Sequence, residues 1–265
     1  MNGRVRAALA AGVASAVIAG IALGAGDVQA DFAQRNLEPS ARHLFGTDAM
    51  GRDMLARTLG GLARSLRVGL IAAGLSVLIA AGVALASGLG RRADAVAGLL
   101  TDAFLAMPHL VLLILISFAM GGGTGAVIVA VAVSHWPRLA RLLRAEVLQV
   151  QAAPYVEASR AFGRSRAHVL RRHVLPHLVP QMLVGFLLMF PHAILHEAGL
   201  TFLGFGLEPS RPAIGVMLAE AMRHVGAGRW WLALFPGAAL LSVVLCFEAL
   251  GSAVRRLASP REGQC

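Results

Sequence analysis

The sequence predicts an all-α, polytopic membrane protein with about six transmembrane helices and a charged cytoplasmic loop between helices 4 and 5. Of the 265 residues, 57% are hydrophobic, which leaves too few polar residues to coat a soluble globule of this size. Apolar runs recur along the chain at lengths near the ~20 residues that cross a bilayer. The net charge is +10, but the arginines cluster at the ends of the apolar runs, where they indicate membrane orientation rather than nucleic-acid binding.

The first apolar run covers residues 7 to 26 and follows a basic start. It is long enough for a retained transmembrane helix, which we favour. The alternative is a secretory signal peptide, because residues 28 to 30 weakly resemble a cleavage site. Residues 27 to 65 are polar and mixed in charge, so we expect an external segment. We therefore divide the chain into 1–65, the first helix with this external segment, and 66–265, the membrane domain proper.

Five further apolar runs complete the predicted membrane domain. The second span covers residues 66 to 90, and the third covers residues 100 to 120 with a kink at Pro108. The fourth begins near residue 126 and continues past Pro137 into arginines at helical spacing, the fifth follows Pro176, and the sixth starts at Trp230. With the N-terminus placed inside, more arginines fall on the inner side of the membrane than on the outer side. Because cytoplasmic loops carry an excess of positive residues, this count favours a cytoplasmic location for both termini and for the charged loop. The glycines at 121 to 123 and 125 lack the lysine of a phosphate loop, so no ATP site is readable.

The charged loop, from Pro154 to Pro176, predicts two short helices separated by a glycine. Residues 157 to 162 have helical spacing, and Gly163 stands where a left-handed residue would end a helix. Ser165 can cap a second helix, which we expect to stop at Pro176. Its many arginines suit docking to a partner rather than burial in lipid.

The same loop carries a family resemblance. Glu157-Ala158-Ser159, then Gly163, then His173-Val174-Leu175-Pro176 resembles the EAA loop in membrane subunits of binding-protein-dependent ABC importers. In that family the loop forms a coupling helix that rests in a groove on the ATPase. The resemblance implies a set of residues that couple the chain to an ATPase: Glu157, Ala158, Ser159, Arg160, Gly163, Leu175 and Pro176.

A second resemblance identifies a branch of this family. Residues 46 to 53 are similar to the Gly-Thr-Asp-x-x-Gly-Arg-Asp signature of the oligopeptide, dipeptide and nickel permeases. We expect a structural role for this signature, namely a turn and a helix N-terminus capped by an aspartate, with arginines paired locally. Its members are Gly46, Thr47, Asp48, Gly51, Arg52 and Asp53.

Together the resemblances imply a permease subunit of an ATP-driven importer of peptides, nickel or metal chelates, working by alternating access in a bacterial or archaeal inner membrane. The implied partners are a second homologous permease, two ABC ATPases, an extracytoplasmic substrate-binding protein and membrane lipid, with no nucleic acid. ATP and magnesium would bind the ATPases, so no cofactor and no enzymatic activity are expected on this chain.

Ionisable side chains at membrane depth are the remaining functional candidates, because they are costly to bury in lipid. His192 and His196 share one helix face with Glu197 turned about 100° away, and His109 adjoins Pro108. They could line a substrate pathway or pack within the bundle; we expect no tightly held metal, since an importer must release its cargo. Two other functions stay open, an intramembrane metalloenzyme built on His192, His196 and Glu197, and a secondary carrier.

Overall fold

The computed structural model describes residues 29 to 258, with side chains through Arg255. This part of the chain contains no β-strand. Short 3₁₀ turns occur at Phe32–Gln34 and Val225–Ala227. The helices, in chain order, are α1 (Met54–Ser87), α2 (Arg91–Ala106), α3 (His109–Ala119), α4 (Gly123–Gln151), α5 (Pro154–Ala161), α6 (Arg166–Phe202), α7 (Ile214–Met222) and α8 (Trp231–Ala258).

Four of these helices, α1, α4, α6 and α8, are long and apolar enough to cross a membrane. The pair α2 and α3 makes a fifth span if the two are counted together. The predicted first helix, residues 7 to 26, lies outside the described residues. The all-α, polytopic fold class is therefore confirmed, with a helix count close to the predicted six.

The core is built around α1, which packs along α4 and α6. Ala72, Ala73, Ala80 and Ala84 of α1 are fully buried. Small side chains let helices approach closely, which is how packing compensates for the absence of a hydrophobic driving force inside lipid. Phe190 of α6 is the largest fully buried side chain in this core.

The predicted third span is two helices rather than one kinked helix. Helices α2 and α3 meet at a bend of 95°. Met107, the residue before Pro108, adopts an extended conformation with ψ 138°, because the proline ring disfavours the helical conformation of its predecessor. The proline also lacks the N–H that would continue the helix.

Two other predicted boundaries differ from the structure. Helix α1 begins at Met54, so the proposed division at residue 65 falls inside it. The second loop helix does not stop at Pro176 but continues to Phe202. A π-helical turn at Leu170–Val174 ends two positions before Pro176. This wider turn shifts the carbonyls that the proline ring would otherwise meet, so the helix continues through it.

Candidate functional site

Residues 46 to 53, which we call the signature segment, and the charged loop from Pro154 to Pro176 lie at opposite ends of α1. Arg57, in the first turn of α1, bonds to the signature segment. Beyond the other end of α1, Gly88 O accepts a hydrogen bond from Gln151 at 2.9 Å, and Leu89 O accepts one from Arg166 of α6 at 2.7 Å. A helix of 34 residues extends about 50 Å, more than the ~30 Å of bilayer hydrocarbon. The geometry therefore suits one element on each side of a membrane.

Thr47 ties the signature segment to its surroundings. Its hydroxyl donates to Gln34 O at 2.5 Å and accepts from Leu37 N–H at 2.8 Å. Its carbonyl accepts from the indole N–H of Trp231 at the start of α8, at 3.2 Å. Asp53 caps α1 by accepting from Ala56 N–H at 3.0 Å. These hydrogen bonds thus hold the N-termini of α1 and α8 close to the signature segment.

Asp48 is the centre of a buried ion-pair network. Its carboxylate accepts from the backbone N–H groups of Met50 and Arg52, at 2.8 and 2.9 Å, and from Arg52 Nε at 2.7 Å. Arg57 Nη1 donates to the same carboxylate at 2.6 Å, and Arg57 Nη2 donates to Glu220 of α7 at 3.0 Å. A cavity of about 200 Å³ borders this network. Arg57 therefore joins the signature segment to α7.

Gly51 fits the signature because a side chain would not. Its φ is +74°, and a Cβ there would lie 1.7 Å from Asp31 O. The left-handed conformation already favours glycine, and the close approach excludes every other residue unless the backbone moves. Gly46, also at positive φ, occupies the other turn of this segment.

In the charged loop, α5 has a charge at each end that complements the helix dipole. Glu157 lies in its first turn and Arg160 in its last turn, where an anion and a cation respectively are stabilised. Gly163 follows with φ +79°, as predicted for the end of this helix. The Ser165 hydroxyl then accepts from His168 N–H at 3.3 Å and caps the start of α6.

One apolar side chain anchors α5 to the bundle. Val156 is fully buried among residues of α4 and of the first turns of α6. Phe162, at the other end of α5, is 85% exposed, and Tyr155 is 46% exposed. The loop is thus fixed on one side and presents aromatic and basic side chains on the other. All five of its arginines are exposed: Arg160, Arg164, Arg166, Arg171 and Arg172.

The other predicted coupling residues surround this exposed face. Ala158 is exposed, and the Ser159 hydroxyl lies 3.3 Å from His173 Nε2 in the π-helical turn. Leu175 is half-buried and Pro176 is exposed. The loop therefore folds as one unit with the start of α6.

Three histidines meet where helices are broken or carry a proline. His109 follows Pro108, His135 precedes Pro137 in α4, and His196 follows Pro191 in α6. The ring centroids are 4.6 Å apart for His109 and His135, 4.7 Å for His109 and His196, and 4.9 Å for His135 and His196. We call this group the histidine cluster.

Glu197 lies away from the histidine cluster. It is fully buried, and its Oε1 accepts from the Thr201 hydroxyl at 3.0 Å. The Thr201 hydroxyl in turn accepts from Leu207 N–H at 3.1 Å, which fixes the chain where α6 ends. Ser65 of α1 is the other polar group beside this carboxyl, although Glu197 Oε2 and Ser65 Oγ do not meet hydrogen-bond geometry. The structure thus separates Glu197 from His196, whereas the metalloenzyme hypothesis requires them in one site.

Sequence reasoning missed two members of these sites. His135 is not among the candidates named from the sequence, yet it contacts both His109 and His196. Glu220 had no assigned role, yet it pairs with Arg57, which is 163 positions away. For the histidines a signal was available, because each stands within five residues of a proline in an apolar run. The exposed His192 does not join the cluster; its Nδ1 lies 3.1 Å from Leu188 O.

Comparison with protein families gives a match over residues 78–261 to the binding-protein-dependent transport system inner membrane component. A putative peptide transport system permease protein of Brucella suis is 38% identical, over 84% of this chain and 75% of the relative. The dipeptide transport system permease protein of Bacillus subtilis is 34% identical, over 88% of this chain and 73% of the relative. A probable D,D-dipeptide transport system permease protein of Escherichia coli is 36% identical, over 88% and 78%.

Solved structures share the fold at lower identity. An inward-facing methionine ABC transporter aligns with a TM-score of 0.62 and 18% identity, over 78% of this chain and 98% of the other. An amino acid ABC transporter crystallised with histidines aligns with a TM-score of 0.59 and 21% identity, over 77% and 94%. These similarities concern the fold alone.

Proposed function

The chain belongs to the binding-protein-dependent transport system inner membrane component family, and on that premise we propose that it is the permease subunit of an ATP-driven importer of peptides. The anchored and exposed α5 is the observation that carries this proposal. A helix fixed to the bundle by Val156, with Phe162 and several arginines facing outward, is suited to receive motion from a partner. The relatives named as peptide or dipeptide permeases favour the substrate class.

In the proposed mechanism, two partner ATPases hydrolyse ATP and move α5. Val156 is buried among residues of α4 and α6, so a displacement of α5 would be passed to both helices rather than absorbed by a flexible loop. Rigid packing of this kind favours a switch between two arrangements. Alternation between them would open the pathway first to one side of the membrane and then to the other.

Charge and exposed aromatic surface favour a protein partner for the loop. Exposed arginines and aromatics are the residue types that dominate the energetics of protein interfaces. Phe162, at 85% exposure, would be costly in water unless a partner covers it. The proposed partners are two ABC ATPases at this end of the bundle, a binding protein at the opposite end, and a second permease and lipid along the sides. The proposed membrane is a bacterial or archaeal inner membrane.

Peptides are the better-supported substrate class. The sequence motifs predicted peptides or nickel chelates without distinguishing them, whereas the relatives reported above are named for peptides and dipeptides. We therefore propose peptides, and place nickel chelates among the outcomes of the test.

The proposal is tested by uptake in a strain that lacks the gene for this chain. We expect the deletion to abolish accumulation of a radiolabelled dipeptide at low external concentration and a plasmid copy to restore it, with unlabelled dipeptide competing. Radioactive nickel uptake, measured in the same cells, should be unchanged. Loss of nickel uptake with normal peptide uptake would overturn the substrate class, and normal uptake of both would overturn the importer proposal.

A further inference from the structure

We infer that the histidine cluster is a binding site for a first-row divalent transition-metal ion such as Zn²⁺. One ring nitrogen from each of His109, His135 and His196 lies within 4.8 Å of the others. Neutral imidazole is a preferred ligand for zinc, nickel and copper, and three histidines with one open position form a common zinc site. The inference rests on this juxtaposition and does not depend on the proposed transport function.

Backbone contacts orient two of the three rings for this role. His135 Nδ1 lies 2.9 Å from Val131 O, and His196 Nδ1 lies 2.8 Å from His192 O. Because a carbonyl only accepts, these contacts assign the proton of each ring to Nδ1. His135 then presents its Nε2 lone pair toward His196, whose Nδ1 lies 3.3 Å away, so a bound ion would replace that contact. Metal-binding histidines are commonly held this way, with the second nitrogen donating to a carbonyl that fixes ring orientation and tautomer.

The distances between the ring nitrogens are close to those found around a bound zinc ion. Zinc binds imidazole nitrogen at about 2.0–2.1 Å, so two nitrogens on a tetrahedral ion lie about 3.4 Å apart. From a spread of at most 4.8 Å, closure by about 1.4 Å completes the site. Each ring is only partly buried, which leaves room for a water or another ligand in the fourth position.

The bound ion would be resident and not cargo. His109, His135 and His196 belong to three different helices, and each lies within five residues of a proline. An ion held by all three therefore links the bend between α2 and α3 to α4 and α6. This differs from the expectation of no tightly held metal, which was argued for an ion that is transported.

The positive charge of Arg138 leads to a second prediction about metal binding at the histidine cluster. Arg138 follows His135 by three residues, about one turn of α4. A fixed positive charge opposes the approach of a cation. Arg138→Gln should therefore tighten metal binding, whereas loss of any cluster histidine should weaken it.

The test uses the full chain, purified in detergent with an affinity tag that contains no histidine, and titrated with Co²⁺. Co²⁺ replaces Zn²⁺ and absorbs strongly in the visible range only when it is four-coordinate. We expect one four-coordinate Co²⁺ per chain, displaced by Zn²⁺, and a higher thermal midpoint when Zn²⁺ is present. His109→Ala, His135→Ala and His196→Ala should each weaken binding by at least about 100-fold.

His177→Ala is the matched control, because His177 is also in α6 and its Nδ1 lies 2.8 Å from the carbonyl of His173 four residues back. It should bind Co²⁺ like the unaltered chain. Because an alanine variant could fail to fold, His196→Cys supplies a second test: it should still bind Co²⁺ and add a thiolate charge-transfer band. Absence of four-coordinate Co²⁺ from the unaltered chain, equal loss in His177→Ala, or no thiolate band in a folded His196→Cys would overturn the inference.

Discussion

Replacing Arg57 with alanine should destabilise the fold by about 3 kcal/mol. Arg57 joins the signature segment to α7, because it donates to Asp48 at 2.6 Å and to Glu220 at 3.0 Å. Its side chain is only 5% exposed, so little water solvates it in the folded chain. The substitution therefore removes a buried cation whose two partners stay in place.

The magnitude follows from what each partner retains. A hydrogen bond to a charged group contributes about 1.5–3 kcal/mol, and two such bonds are lost. Glu220 is 37% exposed, so water replaces much of the second bond. Asp48 is 7% exposed but keeps Arg52 and two backbone N–H groups. The loss should therefore lie near the lower end of the ~3–5 kcal/mol typical of a broken buried ion pair.

The assay is denaturant unfolding of the purified chain in detergent, followed by tryptophan fluorescence. Trp231 bonds to Thr47 next to the network, so its emission reports on this region. Arg223→Ala is the matched control, since Arg223 lines the same cavity but is exposed; it should cost less than about 0.5 kcal/mol. If Arg57→Ala costs no more than Arg223→Ala, the network does not support the fold and the reasoning is refuted.

Three further predictions concern the glycines, the buried carboxyl and the topology. Gly51→Ala should greatly lower the yield of folded protein, because a Cβ there would lie 1.7 Å from a backbone oxygen, whereas Gly74→Ala, with no atom within 4 Å, should not; size-exclusion profiles of both variants check this. Glu197→Gln keeps an acceptor oxygen for its threonine partner and should fold, whereas Glu197→Ala should be recovered mainly as aggregate in the same assay. Cysteines introduced at the exposed positions Ser40 and Arg164, after the native cysteines are changed to serine, should react with impermeant reagents from opposite sides of the membrane. Reaction of both from one side contradicts the topology.

Local signals in the sequence predicted helix ends well. Asp53 caps α1 and Ser165 caps α6, and Gly163 takes the left-handed conformation expected of it. In each case the deciding interaction lies within a few residues along the chain, so a side chain or a positive φ suffices to specify it. At Gly51 the positive φ is likewise local, but the contact that excludes a side chain is with Asp31, 20 residues earlier in the chain.

The prolines show that residues close in sequence do not always determine where a helix ends. Pro108 separates two helices by 95°, whereas Pro137 lies inside the continuous helix α4. Proline removes the same N–H in both places, so the difference depends on whether neighbouring helices satisfy the freed carbonyls. That packing is not encoded in the residues next to each proline.

Long-range contacts account for the remaining differences. Sequence spacing grouped His196 with Glu197, but adjacent residues point about 100° apart on a helix, and the structure directs them to different neighbours. His135 Nε2 lies 3.3 Å from His196 Nδ1 across 61 positions of sequence. Arg57 and Glu220 pair across 163 positions. Such partners can be proposed from chemistry, but only the packing of the helices selects them.

The most direct test of the central claim, that α5 couples this permease to an ATPase, measures peptide uptake, ATPase activity and ATPase co-purification from the same membranes. Gly163→Pro is incompatible with the observed φ of +79°, because proline is fixed near −65°, and Glu157→Lys reverses the charge in the first turn of α5. Both variants should insert normally but hydrolyse ATP without uptake or lose the ATPase. Arg164→Gln removes one of the five exposed arginines of the loop and should do far less than either of these changes. Normal uptake coupled to ATP hydrolysis in both Gly163→Pro and Glu157→Lys would contradict the claim.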